Sequence, residues 1–221
     1  MFEDLIKDYD AWGYLDVPDE ICGDVSEFVN EEAFKDADKL MTRGHMTIFK
    51  NTPEINRRFM ANTGESFNYR DIFSSEHFFN FEEIARGSIS WIYVNNKWNM
   101  NLLNDAVADV SGLFYDFRRS CISEKLEYYR PSKAPSIYAR EDGKVYGYFL
   151  EKGQVVKREY LYLHFKRRKM QINIPFEADK YLIVPSGFET YKEVTADVIK
   201  HYAKKKWFYP VFWEEVKKSI V

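Results

Sequence analysis

Three strand-like runs separated by two glycine-containing turns place the strongest constraint on how this chain can fold. Residues 136–140, 144–150 and 155–165 are rich in aromatic and β-branched side chains, and they are separated by Glu141-Asp142-Gly143 and Glu151-Lys152-Gly153. Such turns favour tight hairpins, because glycine readily adopts the positive φ that they require. The pattern predicts an antiparallel β-meander in the C-terminal half. Its third strand is expected to carry His164 to one end of that sheet.

The composition indicates a folded protein and excludes several functional classes. With 221 residues, of which 45% are hydrophobic and 18% aromatic, the chain can build one large domain or two small ones. The 32 basic and 35 acidic residues give a net charge of -3, which argues against a general nucleic-acid binder. Cys22 and Cys121 lack the spacing of a zinc site or a disulfide framework, so a reducing cytosol is expected. Neither a signal peptide nor a membrane span is predicted.

Two acids near the amino terminus are candidate metal ligands. A short helix is predicted over residues 2–9 and a buried strand over residues 11–17, with Asp16 and Asp19 at the strand's end and a turn at Pro18. Ligands of α/β sheets bind beyond strand ends, and Mg2+ and Mn2+ favour carboxylate oxygens. A solvated acidic turn is the alternative. A capped helix is then predicted to begin at Asp24.

A histidine and a basic run form a second candidate site. The apolar residues around His164 lead directly into Lys166, Arg167, Arg168 and Lys169. An imidazole can complete a Mn2+ shell, and Arg and Lys can hold phosphates that the metal also touches. The alternative for His164 is a solvent-facing strand histidine, since alternation places it on the face opposite Leu163 and Phe165. The alternative for the basic run is a solvated cationic face.

Two further candidate positions lie in the middle of the chain. Strand-like residues 39–41 and 46–49 flank a turn that contains His45, and a helix is predicted to open near Pro53. His45 is either a surface histidine or a substrate contact. Glu82 and Glu83 end an aromatic-rich loop over residues 74–83. They are either a general base or the acidic start of a helix.

The C-terminal region predicts one strand and one helix. The strand covers residues 180–184 and the helix residues 194–206. The stretch 204–213 then combines lysines with aromatic residues. It is either a helix end packed on the core or a shallow contact with an anionic membrane.

Several sequence blocks carry a family resemblance because they occur together and in order. The blocks are Trp12-Gly13-Tyr14-Leu15-Asp16 to Cys22-Gly23-Asp24, Gly44-His45-Met46-Thr47 with Asn51-Thr52-Pro53-Glu54-Ile55-Asn56, Ser74-Ser75 to Glu83, and Tyr162-Leu163-His164-Phe165-Lys166-Arg167-Arg168-Lys169-Met170. Over residues 2–184 the chain resembles a poorly characterised bacterial family. Members of that family are similar to GT-A-type glycosyltransferases and are associated with capsule and lipopolysaccharide synthesis.

The resemblance implies an α/β fold of GT-A type, in which helices flank a mixed sheet. It implies transfer of a sugar from a nucleotide-sugar donor to a glycan or lipid-linked acceptor, with Mn2+ or Mg2+ as cofactor. The implied metal ligands are Asp16, Asp19 and His164, with a ribose contact as the alternative for the acids. The implied donor contacts are Lys166, Arg167, Lys169 and His45. Glu82 or Glu83 would activate the acceptor hydroxyl or stabilise the sugar cation.

The resemblance also bears on the domain organisation. We expect a single domain over residues 1–221, with an α/β part (1–130), a meander part (131–190) and a C-terminal helical segment (191–221). Family members usually have a substantial region before the acidic motif, so an incomplete nucleotide-binding half is expected.

Three hypotheses follow for the function. The chain is a cytoplasmic enzyme, complete in itself or completed by a second chain; or a non-catalytic remnant; or a phosphate- or membrane-binding module peripheral to the inner membrane.

Overall fold

Short strands dominate a mixed α/β architecture in the computed structural model, which describes residues 3–15, 20–77, 79–110, 117–165, 168 and 170–203. The strands are, in chain order, β1 Ala11–Leu15, β2 Glu20–Cys22, β3 Lys39–Arg43, β4 Met46–Lys50, β5 Met100–Asn101, β6 Val107–Val110, β7 Arg119–Ile122, β8 Tyr128–Tyr129, β9 Ser136–Glu141, β10 Lys144–Glu151, β11 Gln154–Tyr160, β12 Tyr162–His164, β13 Gln171–Asn173, β14 Tyr181–Val184 and β15 Gly187–Thr190. The α-helices are α1 Glu3–Ile6, α2 Glu31–Phe34, α3 Tyr69–Ser74, α4 Ile89–Asn95 and α5 Ala196–Tyr202, and a 3-10 helix covers Ile55–Met60.

The chain divides into two compact units. Unit 1 comprises Met1–Pro18, Ser26–Asn104 and Ile122–Tyr129. Unit 2 comprises Asp19–Val25, Asp105–Cys121 and Arg130–Val221. The organisation as one domain with parts 1–130, 131–190 and 191–221 stays a prediction. Among the helices in the described part of the chain, none is long and apolar enough to cross a membrane.

Unit 1 is built on a four-stranded sheet of order β1-β4-β3-β5. The predicted strands around His45 are confirmed as β3 and β4, which form an antiparallel hairpin. Strand β1 pairs antiparallel with β4 and β5 pairs parallel with β3. An apolar cluster that includes Phe49, Ile92 and Tyr93 packs beside this sheet, and burial of such side chains contributes about 1.5–3 kcal/mol each.

The predicted meander is confirmed as β9, β10 and β11 of a six-stranded sheet in unit 2, with the order β11-β10-β9-β14-β15-β13. Both of its turns contain two residues with positive φ, at 50° and 81° for Asp142 and Gly143 and at 49° and 84° for Lys152 and Gly153. The predicted strand over residues 180–184 is β14. Neighbouring side chains of β9 join different apolar clusters, so both faces of the sheet are covered.

The prediction of one continuous third strand over residues 155–165 is wrong, because this segment forms two strands that belong to two different sheets. Strand β11 ends at Tyr160, and β12 pairs antiparallel with β2 and parallel with β6. The backbone between them is held elsewhere, because the Leu161 amide donates to the Ala106 carbonyl at 2.8 Å and the Leu161 carbonyl accepts from Gly23 at 2.7 Å. His164 therefore belongs to a sheet in which β2, β12, β6 and β7 follow one another, not to the meander.

The helix predictions are only partly confirmed. The helix predicted to begin at Asp24 does not form there; α2 begins after Asn30, whose side chain accepts from the Ala33 amide at 3.1 Å. Two glutamates in the first turn of α2 add favourable contacts with the helix dipole. The helix near Pro53 is a 3-10 helix, α1 is shorter than residues 2–9, and α5 lies within residues 194–206. The stretch 204–213 lies outside the described residues.

Candidate functional site

The strongest candidate site in unit 2 is a buried carboxylate–imidazole pair. Asp109 on β6 and His164 on β12 occupy paired positions of a parallel ladder, and Nδ1 of His164 lies 3.0 Å from Oδ1 of Asp109. Only 11% of the His164 side chain and none of the Asp109 side chain is exposed. The flanking residues of both strands are apolar and buried. The fold therefore brings one acid and one imidazole together on two buried strands.

The alternative of a solvent-facing His164 is wrong. Tyr162, Leu163 and His164 are all buried, so the alternation of β12 does not expose any of its side chains. A buried carboxylate is costly without a polar partner, and His164 supplies one to Asp109. His164 therefore offsets part of the cost of burying Asp109.

The pair offers side-chain types that bind divalent cations in proteins. An ionised Asp109 accepts the Nδ1 proton of His164, and the ring then carries its lone pair on Nε2. Carboxylates orient metal-binding histidines in this way in many proteins. Carboxylate and imidazole are also the side-chain types expected around Mn2+ in a mixed oxygen and nitrogen site.

Several predicted site residues lie outside the described part of the chain. These are Asp16, Asp19, Lys166, Arg167 and Lys169. Their roles as metal ligands and donor contacts stay predictions. Arg168 lies within the described part of the chain and contributes to packing there. It is buried, with its guanidinium 5.0 Å from the Phe117 ring centre, and it donates to the Pro185 carbonyl at 3.3 Å.

Unit 1 brings three other predicted site residues together. The turn that contains Gly44 and His45 lies beside the carboxyl end of β1, where Leu15 pairs with Met46. A Cβ on Gly44 would lie 2.9 Å from Cγ of Glu82 and 3.1 Å from Cδ of Glu83, so both glutamates pack directly against this turn. His45 is buried, and its reading as a surface histidine is therefore wrong.

Glu82 and Glu83 do not begin a helix, so that alternative is also wrong. They lie in a turn, and α4 begins later at Ile89, after Ser88 as N-cap. Both side chains are partly exposed and remain accessible from solvent. Accessible carboxylates of this kind can accept a proton from a hydroxyl group.

Tyr14 joins the two glutamates and was not predicted. Its hydroxyl donates to the Glu82 carbonyl at 3.5 Å. The pKa of Tyr14 is raised to about 12, and burial is the largest cause. A hydrogen bond with Thr47 lowers this pKa, whereas the negative charges of Glu82 and Glu83 raise it. Tyr14 is therefore a neutral hydrogen-bond donor beside the acidic pair.

Asp109 is the other residue of the candidate sites that sequence reasoning missed. Its signal is a single carboxylate inside the apolar run Ala106-Val107-Ala108-Asp109-Val110. An acid within a strand that is otherwise fully apolar requires a buried partner. The run indicates that such a partner exists but does not indicate which residue it is.

The described residues define a mixed α/β protein with a buried acid–imidazole pair at the end of a parallel strand. Residues 1–192 match a family of unknown function, DUF6625, and the chain belongs to this family. No curated protein and no solved structure matches the chain.

Proposed function

We propose that this protein is a metal-dependent glycosyltransferase of GT-A type that acts in surface polysaccharide synthesis. It transfers a sugar from a nucleotide-sugar donor to a glycan or lipid-linked acceptor. The observation that carries the proposal is the Asp109–His164 pair, buried with 3.0 Å between Nδ1 and Oδ1. The basic run begins two residues after His164, so an imidazole ligand and phosphate-binding cations follow each other in the chain.

In the proposed donor site, His164 would be a ligand of Mn2+ or Mg2+, and Asp109 would fix the orientation of its ring. The bound cation supplies charge neutralisation for the departing nucleoside diphosphate. Lys166, Arg167 and Lys169 hold diphosphate oxygens, as their charge and their position after β12 favour. His45 stays a proposed donor contact, and Asp16 and Asp19 stay proposed ligands.

In the proposed acceptor step, Glu82 or Glu83 takes the proton of the acceptor hydroxyl. The acceptor oxygen forms a bond to the anomeric carbon of the sugar, and the bond from that carbon to the diphosphate oxygen breaks. The electron pair of the broken bond leaves with the nucleoside diphosphate. Contact of both glutamates with the Gly44 turn and the neutral Tyr14 hydroxyl nearby support a positioned base.

Calorimetric titration of the purified chain with UDP, GDP and CDP, each with and without Mn2+, tests the proposal. We expect at least one nucleotide to bind only in the presence of Mn2+. His164→Ala should abolish that binding, whereas His77→Ala, which changes an exposed histidine of unit 1, should leave it unchanged. The matching nucleotide sugars would then be assayed for release of the nucleoside diphosphate.

The other hypotheses predict different results in the same experiment. Failure of every nucleotide to bind a chain that circular dichroism shows to be folded would sink the transferase proposal and favour a non-catalytic relative. Binding to anionic vesicles without metal, together with no nucleotide binding, would favour the peripheral module.

A further inference from the structure

Unit 2 contains a cavity of about 370 Å³ lined by several charged side chains, none of which was among the predicted site residues. Its polar lining includes Arg118, Arg119, Arg158, Asp105, Glu151 and Tyr160. A volume of this size lies at the lower end of the range of about 300–1,000 Å³ that is usual for small-ligand pockets. The cavity can therefore hold a small molecule or one polar end of a larger one.

The cavity lining carries more positively charged side chains than negatively charged ones. Arg158 is paired with Glu151, and its two terminal guanidinium nitrogens donate to the carboxylate at 2.9 and 3.0 Å. Arg119 also forms an ion pair, with 3.6 Å between its guanidinium and the carboxylate of Asp105, whose side chain is fully exposed. Ion pairs with exposed carboxylates contribute little to the free energy of folding. With Arg118 in the lining as well, arginines outnumber acids in the cavity.

Two of the guanidinium groups are held in place by aromatic rings. The guanidinium carbon of Arg119 lies 5.6 Å from the Tyr160 ring centre, and that of Arg158 lies 4.8 Å from the Phe149 ring centre. Stacking on a ring restricts a guanidinium while leaving its N–H donors directed outwards. Fewer side-chain conformations are then lost when a ligand binds.

Tyr160 adds a polar group that has no hydrogen bond within the described part of the chain. The residue is 1% exposed, and its hydroxyl makes no such bond there. Burial raises the pKa of Tyr160, and the positive charges of Arg119 and Arg158 act against this rise, so the hydroxyl lies within electrostatic reach of both arginines. A buried hydroxyl of this kind favours a site that a bound polar ligand completes.

We propose that this cavity binds an oxyanion, either a phosphate group or a sugar carboxylate, through Arg118, Arg119 and Arg158, with the Tyr160 hydroxyl as an additional donor. Guanidinium groups present paired N–H donors whose spacing matches the oxygens of phosphates and carboxylates. The acids Asp105 and Glu151 favour a ligand that also carries hydroxyl groups, because carboxylates accept hydrogen bonds from them. This inference does not rest on the proposed transferase activity.

The test is a calorimetric titration in EDTA and phosphate-free buffer, with inorganic phosphate, pyrophosphate and glucuronate as separate probes. We expect at least one probe to bind, and the strongest one distinguishes a phosphate ligand from a sugar acid. Arg118→Gln and Arg158→Gln should each weaken its binding about tenfold or more, since each removes a charged hydrogen-bond donor. Tyr160→Phe should weaken it by a smaller factor.

Lys144→Gln is the matched control. It removes a cation and an ion pair of 3.0 Å with Glu159 from the same hairpin, but Lys144 does not line the cavity. Binding to this variant should stay within about twofold of the wild type. Absence of binding for all three probes, or equal weakening in Lys144→Gln and the arginine variants, would overturn the proposal. Because EDTA removes the cation, this result is independent of the metal-dependent nucleotide titration.

Discussion

His164 on β12 stands opposite Asp109 on β6 in a parallel ladder, and its Nδ1 lies 3.0 Å from the Asp109 carboxylate. Both strands are buried on both faces, so the two side chains meet away from bulk water. The relationship gives the imidazole one orientation and one preferred tautomer. It is the basis of the role proposed for His164 as a metal ligand.

The tautomer of His164 is the first testable consequence. We expect the neutral ring to carry its proton on Nδ1, because the Asp109 carboxylate can only accept. Long-range proton–nitrogen NMR correlation of the metal-free protein measures this directly. In Asp109→Asn the preference should weaken, since an amide can also donate to Nδ1, whereas Asp179→Asn at an exposed position should have no effect. An Nε2-protonated ring in the wild type contradicts the assignment.

Glu82→Gln and Glu83→Gln test the proposed base. The substitution that removes the base should lower kcat by about 100-fold or more while donor affinity changes little, because proton transfer acts in the chemical step. Steady-state kinetics with a nucleotide sugar that matches the bound nucleotide, and with a glycan acceptor, would separate the two effects. Glu76→Gln, at an exposed position of the same loop, is the control. Equal losses of kcat and donor affinity would argue against a chemical role.

Gly44→Ala should disturb the acidic pair without changing its residues. The new methyl group would lie 2.9 Å from Cγ of Glu82 and 3.1 Å from Oε1 of Glu83, so the side chains must move. We expect a loss of about 1–3 kcal/mol in the free energy of unfolding, measured by urea denaturation. The loss should be smaller in a Glu82→Ala background, which removes the nearest contact. Additive effects in this double-mutant cycle would show that the contact is absent.

Lys39 should make the stability of the protein rise with pH in the alkaline range. Its side chain is buried, and its Nζ donates to the Met41 carbonyl at 2.6 Å and to Ser90 at 3.0 Å. Burial lowers the pKa of Lys39 to about 7 from an ordinary value of 10.5. Between these values the unfolded chain keeps a proton that the folded chain has lost, so raising the pH favours folding by a few kcal/mol in total.

Chemical denaturation at a series of pH values checks this prediction. The rise in the free energy of unfolding should be present in the wild type and absent in Lys39→Met, which isolates the contribution of this lysine from that of other alkaline groups. The same pH dependence in both proteins would contradict it.

Glu141 should stabilise the fold at neutral pH and lose that effect in acid. Burial opposes its ionisation, but the Tyr148 hydroxyl and the ammonium groups of Lys157 and Lys180 outweigh burial and hold the pKa of Glu141 below its ordinary value. Its contribution is therefore complete above the ordinary pKa and is lost as the pH falls through the lowered one.

The corresponding variant is Glu141→Gln. It should cost about 1–3 kcal/mol at neutral pH, and the difference from the wild type should shrink below about pH 4. Thermal or urea denaturation across this range measures it, with the exposed Glu177→Gln as control. A difference that stays constant in acid would mean that the charge of Glu141 does not contribute.

The elements that sequence reasoning identified are those with local signals. The hairpin of β9 and β10 could be predicted because Asp142 and Gly143 supply the positive φ values of 50° and 81° within the turn itself. The β3–β4 hairpin likewise has its turn residues and both strands within one short segment. In these cases the residues that determine the structure are neighbours in the sequence.

The elements that were missed depend on distant segments. Nothing local marks the point where the chain leaves the meander, since Tyr160, Leu161 and Tyr162 are all buried alike; the break depends on backbone groups of Gly23 and Ala106. Asp109 was missed for the same reason, because its partner lies 55 residues further along the chain. Contact of Glu82 and Glu83 with Gly44 is also long-range and has no periodic pattern that would reveal it.

The most direct test of the proposed metal site is Mn2+ binding measured by electron paramagnetic resonance. Free Mn2+ gives a sharp signal that binding broadens, so titration of the chain with Mn2+ in the presence of a nucleoside diphosphate counts bound ions. We predict stoichiometric binding to the wild type and binding weakened about tenfold or more in His164→Ala, with His77→Ala unaffected. A wild-type chain that binds no Mn2+, or a His164→Ala variant that binds it equally well, would contradict the account.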